Sequence, residues 1–315
     1  MDPTAEKPVP ARRRIRYLLE DSLFAFAFRV VPLLPRRCVV GLARSLGFMA
    51  WILARRDRRI AMANLDLAYG RSLDAAGKRA IVRGVFRTFA LTALDIFWFS
   101  RDTRARIERH VVVEAGSEKW MGAGPLVAVT AHFGNWEVFG HVATLRGATL
   151  VSVAKPVKNP VIDERLNQLR RACGQRIVPR QGALKALVKS LREKATVALL
   201  LDQDTREAEG GVFVDFFGVP VPVSSAAAGL AERMGVPLVM GYCRSREDGR
   251  YVCYVHDVLE PAVLKGREVA DITADIARLL EAEIRRYPTQ WLWTYKRWKR
   301  RKPGTDPSIY PLYAD

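Results

Sequence analysis

The polarity pattern changes about a third of the way along the chain. Before Val111 the apolar positions come in long blocks. Residues 38–54 (CVVGLARSLGFMAWILA) contain one charge, Arg44, and Ala80 to Phe99 contains only Arg83, Arg87 and Asp95. Blocks of this kind predict helices, the second of them heavily buried or in partial contact with a membrane. From Val111 onward short β-branched runs take over: VVVEA, PLVAVTA, ATLVSVA, RIVP, TVALLLD, GVPLVMGYC and RYVCYVHDV. Between them, residues 135–146, 160–173, 181–193, 224–234 and 270–287 have helical composition and spacing. Strands alternating with helices predict an α/β fold, a mixed and mainly parallel sheet flanked by helices on both faces. In such sheets ligands bind at the carboxyl ends of the strands, so polar residues directly after an apolar run are the candidates.

Two groups satisfy that condition. The first is Thr130-Ala131-His132-Phe133-Gly134-Asn135-Trp136-Glu137, after PLVAV and before a helix. Within one helix an i, i+5 pair diverges by about 140°, so His132 and Glu137 can cooperate only if the histidine precedes the helix. Phe133-Gly134 supplies a turn, Asn135 an N-cap, and Glu137 falls in the first helical turn, where a carboxylate is favoured. A carboxylate folded back on the imidazole would fix its tautomer and stabilise the imidazolium formed on proton abstraction. His110, His141 and His256 have no acid at the same offset. The spacing alone is weak, and a structural histidine beside a capping glutamate is the competing reading.

The second group, Leu199-Leu200-Leu201-Asp202-Gln203-Asp204, also ends an apolar run. Asp202 and Asp204 could hold a metal or position a hydroxyl, although no third ligand lies at a fixed spacing. The glycine-bounded stretch Gly210 to Gly218, with Phe216 in it, could wall an acyl or lipid channel, or be loop polarity beside a buried cluster. Between the groups lies a basic region in which Arg170 could neutralise a developing oxyanion or a substrate phosphate.

The net charge of +18 alters the picture because it is concentrated at the ends. Residues 1–60 hold 13 Lys/Arg against 5 acids and residues 285–302 hold 8 against none, which supplies +16. Two basic ends on a near-neutral body suit an extended anionic surface, phospholipid or nucleic acid. Trp291, Trp293, Tyr295 and Trp298, interleaved with cations, fit either a bilayer headgroup layer or base stacking. Residues 38–54, followed by Arg55, Arg56, Arg58 and Arg59, are marginal as a span and better as an interfacial anchor. The expected organisation is a membrane-associating segment over 1–60, a catalytic domain over 61–303 and a C-terminal tail over 304–315. No cleavable signal peptide is evident. Four scattered cysteines give neither a disulfide framework nor a zinc site, and G-x-S-x-G, P-loop and G-x-G-x-x-G motifs are absent from the sequence.

VTAHFGNWEVFG resembles the H-x4-[DE] signature of the lysophospholipid acyltransferase superfamily, and in detail the bacterial lipid A biosynthesis lauroyl/myristoyl acyltransferases. Asn64-Leu65 with Ala68-Tyr69, KPVKNPVID running to Arg170, RQGALKAL, DQD with VFVDFFGVPV, and GVPLV resemble that family in the same order, over roughly residues 15 to 300. The resemblance implies a glycerolipid-acyltransferase-like fold with His132 and Glu137 as catalytic pair and Arg170 and Asp202 as further active-site residues; Asn135 and Phe216 join them as substrate-binding candidates. It implies no metal and no cofactor. The implied donor is acyl carrier protein, or acyl-CoA as in the related mannolipid acyltransferases. The implied acceptor is a membrane glycolipid, and the implied location is the cytoplasmic face of the inner membrane, on an anionic surface and without nucleic acid. A non-catalytic basic module binding membrane or nucleic acid would explain the charge split and leave the His132 motif without a role.

Overall fold

The computed structural model describes residues 11–314, so the polar first ten residues lie outside it. The strands are β1 (Val111–Val113), β2 (Leu126–Thr130), β3 (Leu150–Ala154), β4 (Arg176–Pro179), β5 (Thr196–Leu200), β6 (Gly211–Phe216), β7 (Val219–Ser224), β8 (Leu238–Ser245) and β9 (Tyr251–Leu259). Seven form one sheet in the order β1-β9-β8-β2-β5-β3-β4, parallel at every pairing except β8 with β9. This is the expected mainly parallel sheet flanked by helices. Val127, Val129, Val197, Leu199, Leu238 and Met240 form one core with Leu187, Leu230 and Ile276 from three helices. A second core gathers Val138 and Val142 of the helix Trp136–Leu145 with Cys243, Tyr251 and Cys253.

The centre of the sheet places the two polar groups together. β2 and β5 are neighbours, with Leu126 opposite Thr196 and Thr130 opposite Leu200. The partner of every β2 residue is therefore 70 positions later. Two residues past each strand end, the same offset puts His132 beside Asp202.

β6 and β7 make a separate hairpin with Phe216 paired to Val219. Its turn residues Phe217 and Gly218 both have positive φ (53° and 75°), the geometry of a tight two-residue hairpin loop, which favours Asn or Gly. Phe217 is held there by its surroundings: its N–H donates to Glu281 Oε2 at 2.6 Å, and its ring packs on Trp293 and Trp298.

Helices Ala11–Val30 and Arg36–Leu53 pack on the domain by one side. Val39, Ala43 and Gly47 are buried, and a Cβ at Gly47 would sit 2.8 Å from the Arg87 Cα of helix Ala75–Trp98, so these two helices touch at the backbone. Their other sides expose Leu18, Leu19, Leu23, Phe26, Phe48, Met49 and Leu53. Among the described residues no single helix is long and apolar enough to cross a bilayer; Arg36–Leu53 and the following Arg55–Tyr69 meet that test only together, bent by 88°.

Arg36 anchors the second of these helices. Its guanidinium makes a two-pronged ion pair with the buried Asp95, which also accepts from Tyr251 Oη at 2.6 Å. Burial pushes the Asp95 carboxyl above the usual carboxylate range, and Arg36 and Tyr251 pull it back part of the way.

At the other end the structure corrects an expectation. Trp291, Trp293 and Trp298 are 1%, 0% and 0% exposed; Trp291 meets Trp293, Trp298 and Phe216 edge-on, and Trp298 stacks on Phe216. Arg297 is buried too, donating twice to the Pro222 carbonyl. These rings fill the core between the hairpin and the sheet, so they meet neither headgroups nor bases. The stretch after residue 304 is packed as well: Tyr310 donates to Pro220 O, Arg301 holds Ala314 O, and Tyr313 donates to the buried Asn64.

Candidate active site

Asp202, 3% exposed, accepts three hydrogen bonds. His132 N–H reaches Oδ2 at 3.0 Å, the Trp291 indole N–H reaches the same oxygen at 3.0 Å, and His132 Nδ1–H reaches Oδ1 at 2.8 Å. Burial alone would raise this carboxyl, but His132 and Trp291 hold it below the usual carboxylate range. Burial pulls the imidazole down, and the charge and hydrogen bond of Asp202, with the field of Glu137, carry it above the ordinary histidine value. With Nδ1–H donated to the carboxylate, Nε2 carries the free lone pair. The ring also lies edge-on to Trp136, centroids 4.8 Å apart.

The sequence paired His132 with Glu137, whereas the carboxylate on the ring is Asp202. The physical reason is strand order. Asp202 follows the strand beside β2, whereas Glu137 is carried one residue into helix Trp136–Leu145 and turns toward helix Pro160–Ala172. There Arg170 grips it through Nη2 at 2.5 Å and Nε at 3.0 Å, with Nη1 on Asn167 Oδ1 at 3.2 Å. Burial would raise the Glu137 carboxyl, but Arg170 holds it below the usual range, with Trp136 Nε1–H donating at 3.2 Å. Glu137 reaches His132 through its field, as an anion held by Arg170.

The other candidates have definite places. Asn135 is the N-cap, its Oδ1 accepting from Val138 N–H at 3.0 Å, while its Nδ2 donates to Tyr251 Oη at 3.2 Å. It is 1% exposed and its contacts are structural. Phe216 lies in the aromatic core against Trp291, one residue removed from Asp202. Asp204 is paired with Arg300 and Lys299, and no group of three potential metal ligands occurs among the described residues.

The His132 loop is clamped by residues that the sequence did not single out. Leu292 N–H donates to His132 O, Gly134 N–H to Gln290 O, and Asn135 N–H to Cys243 O. Gly134 has φ +55°, and a Cβ there would lie 2.0 Å from the Cys243 carbonyl oxygen. Positive φ alone costs a residue with a Cβ about 1–2 kcal/mol, and a backbone oxygen cannot swing away. Gly134→Ala is therefore expected to lower the melting temperature and the activity together; wild-type values for both would show that the turn tolerates a side chain.

The model of the bacterial lipid A biosynthesis acyltransferase family matches residues 7–300 of this chain. The chain belongs to that family. Among its relatives is the phosphatidylinositol mannoside acyltransferase of Mycobacterium tuberculosis (strain CDC 1551 / Oshkosh), 28% identical over 56% of this chain. The chain spans only about half of that relative's length, 55%. The lipid A biosynthesis palmitoleoyltransferase and lauroyltransferase of Escherichia coli (strain K12) are 24% and 25% identical, each over 88% of this chain and 90% of their own. The family match extends over both the His132 loop and the Asp202 strand end, so the dyad, the Glu137–Arg170 pair and the Trp291 clamp all lie within the family's span.

Proposed function

We propose that this protein moves a fatty acyl group from a thioester, on acyl carrier protein or coenzyme A, to a hydroxyl of a membrane glycolipid, with a lipid A precursor as acceptor. The observation that carries the reading is the His132–Asp202 dyad at the carboxyl ends of two adjacent parallel strands, its Nδ1–H committed to Asp202 and its Nε2 left as the acceptor. The acceptor hydroxyl gives its proton to Nε2 while its oxygen attacks the thioester carbonyl. Asp202 steadies the imidazolium. Collapse of the tetrahedral intermediate breaks the C–S bond, and the departing thiolate takes the proton back from Nε2. No acyl-enzyme forms, and neither a metal nor a cofactor takes part.

The relatives of this chain include acyltransferases named for lipid A and for phosphatidylinositol mannosides, which supports a sugar-bearing lipid as acceptor. The exposed apolar sides of helices Ala11–Val30 and Arg36–Leu53, followed by Arg55, Arg56, Arg58 and Arg59, suit seating on the anionic cytoplasmic face of the inner membrane. An acceptor rooted in that bilayer would then meet Nε2 without leaving it.

The test supplies purified protein with dodecanoyl-coenzyme A or dodecanoyl carrier protein and phosphatidylglycerol vesicles containing either glycolipid. Mass spectrometry is expected to find one added acyl chain on a sugar hydroxyl and an equal amount of free thiol. Intact thioester with every donor and acceptor pair would overturn the reading.

A further inference from the structure

An attacking hydroxyl at Nε2 creates a second requirement, a donor for the oxygen that becomes negative when the thioester carbonyl is attacked. Four backbone N–H groups of the His132 loop are already engaged. Those of His132, Phe133, Gly134 and Asn135 are bound to Asp202, Ala131, Gln290 and Cys243. The Trp136 indole donates to Glu137. Arg170 directs three N–H bonds at Glu137 and Asn167, and no hydrogen bond joins it to His132 among the described residues. One side chain does approach the reactive nitrogen: Gln203 Nε2 lies 3.4 Å from His132 Nε2. Because Nδ1–H is committed to Asp202, the imidazole can only accept on this side, so the amide presents its N–H to the ring. Gln203 is exposed, and backbone continuity with the buried Asp202 fixes where it starts.

We propose that the Gln203 carboxamide is the oxyanion donor of this site. In the resting protein its N–H occupies the imidazole lone pair. When the acceptor hydroxyl takes that position, about 2.8 Å from Nε2, the displaced amide turns to the carbonyl oxygen, which sits on the carbon under attack, two bonds from the attacking atom. As the C–O bond forms, the carbonyl π pair moves onto that oxygen and the amide N–H strengthens its hold. When the pair returns, the C–S bond breaks. A donor so placed acts on the transition state more than on the bound substrate.

This inference rests on the acyl-transfer reading, and two measurements separate them. In the transfer assay with dodecanoyl-coenzyme A, Gln203→Ala and Gln203→Glu are expected to lower kcat about 10²-fold. KM and melting temperature stay near those of the wild-type protein, and the histidine limb of the pH profile keeps its position in Gln203→Ala. Independently of turnover, calorimetry with methyl dodecylphosphonate, a tetrahedral anion, should show binding weakened by a similar factor in Gln203→Ala. Dodecanoyl-coenzyme A should bind both proteins equally. Unchanged kcat, a loss confined to KM, or equal phosphonate binding overturns the role of Gln203 and leaves acyl transfer standing. Intact thioester with every donor and acceptor would instead overturn the acyl-transfer reading, and full transfer by His132→Ala would overturn His132 as its base, with the phosphonate measurement still deciding whether Gln203 meets a tetrahedral oxyanion.

Discussion

Asp202→Asn is expected to reduce kcat by about 10³–10⁴-fold with little change in fold. Oδ2 accepts from two donors, His132 N–H and Trp291 Nε1–H, and Oδ1 from His132 Nδ1–H. An asparagine satisfies the pair with its oxygen and must then turn its NH2 toward Nδ1. That forces the ring to carry its proton on Nε2, the atom that has to accept one. His132→Ala should fall to a similar level, and the double variant little further, since the two act as a unit. The pH profile gives an independent check. To act as the proposed base His132 must be neutral, so the wild-type rate is expected to rise with pH through an imidazole value above the ordinary one. Loss of the Asp202 charge should move the residual limb to lower pH. Stability runs the other way over the same interval, because a histidine raised on folding contributes fully below its unfolded value and loses that contribution as pH rises through its folded value. If Asp202→Asn kept its rate and its limb while Glu137→Gln lost both, Glu137 would be the partner of the imidazole and the dyad as drawn would fail.

The largest effect on stability is expected at the opposite face of the loop. Asp95 has a fully buried side chain, and its partner Arg36 is nearly so. Asp95→Ala leaves a guanidinium among Trp98, Phe99 and Tyr251 with no counter-charge, a change that costs roughly 3–5 kcal/mol. The denaturant midpoint should drop accordingly. Removing both charges together, as Asp95→Leu with Arg36→Met, should recover most of the loss, since well-packed apolar residues often replace a buried pair at little cost. Equal losses in the single and double variants would mean that the charges matter only as filled volume.

Much of this was readable in the chain because the signals are local. Seven apolar runs became seven strands of one sheet, and two of them end in the residues that meet at the site. Which carboxylate touches His132 was not readable, because it depends on β2 and β5 being neighbours in register, a fact of strand order that no local pattern contains. Glu137 is five residues from His132 in sequence and yet faces Arg170; Asp202 is 70 away and shares two hydrogen bonds with it. The hairpin β6–β7 escaped notice because its turn is Phe217-Gly218, a pair that packing rather than turn propensity holds in place. The C-terminal tryptophans were misplaced for a different reason. Their interleaving with cations resembles a membrane belt, but composition cannot say that Trp291 serves a buried carboxylate or that Arg300 and Lys299 pair with another, Asp204.

The Arg36 contact bears on how the protein could be handled in solution. An investigator wanting a well-behaved sample would be tempted to begin the chain beyond Leu53, discarding the greasy helices. That cut would also remove the only cation paired with Asp95 among the described residues, and Asp95 holds Tyr251, which in turn holds Asn135 at the start of the helix behind His132. The shortened protein would dissolve more readily and lose the footing of the His132 loop, so solubility is better sought by changing Leu18, Leu19, Leu23 and Leu53 at the surface and leaving Arg36 where it is.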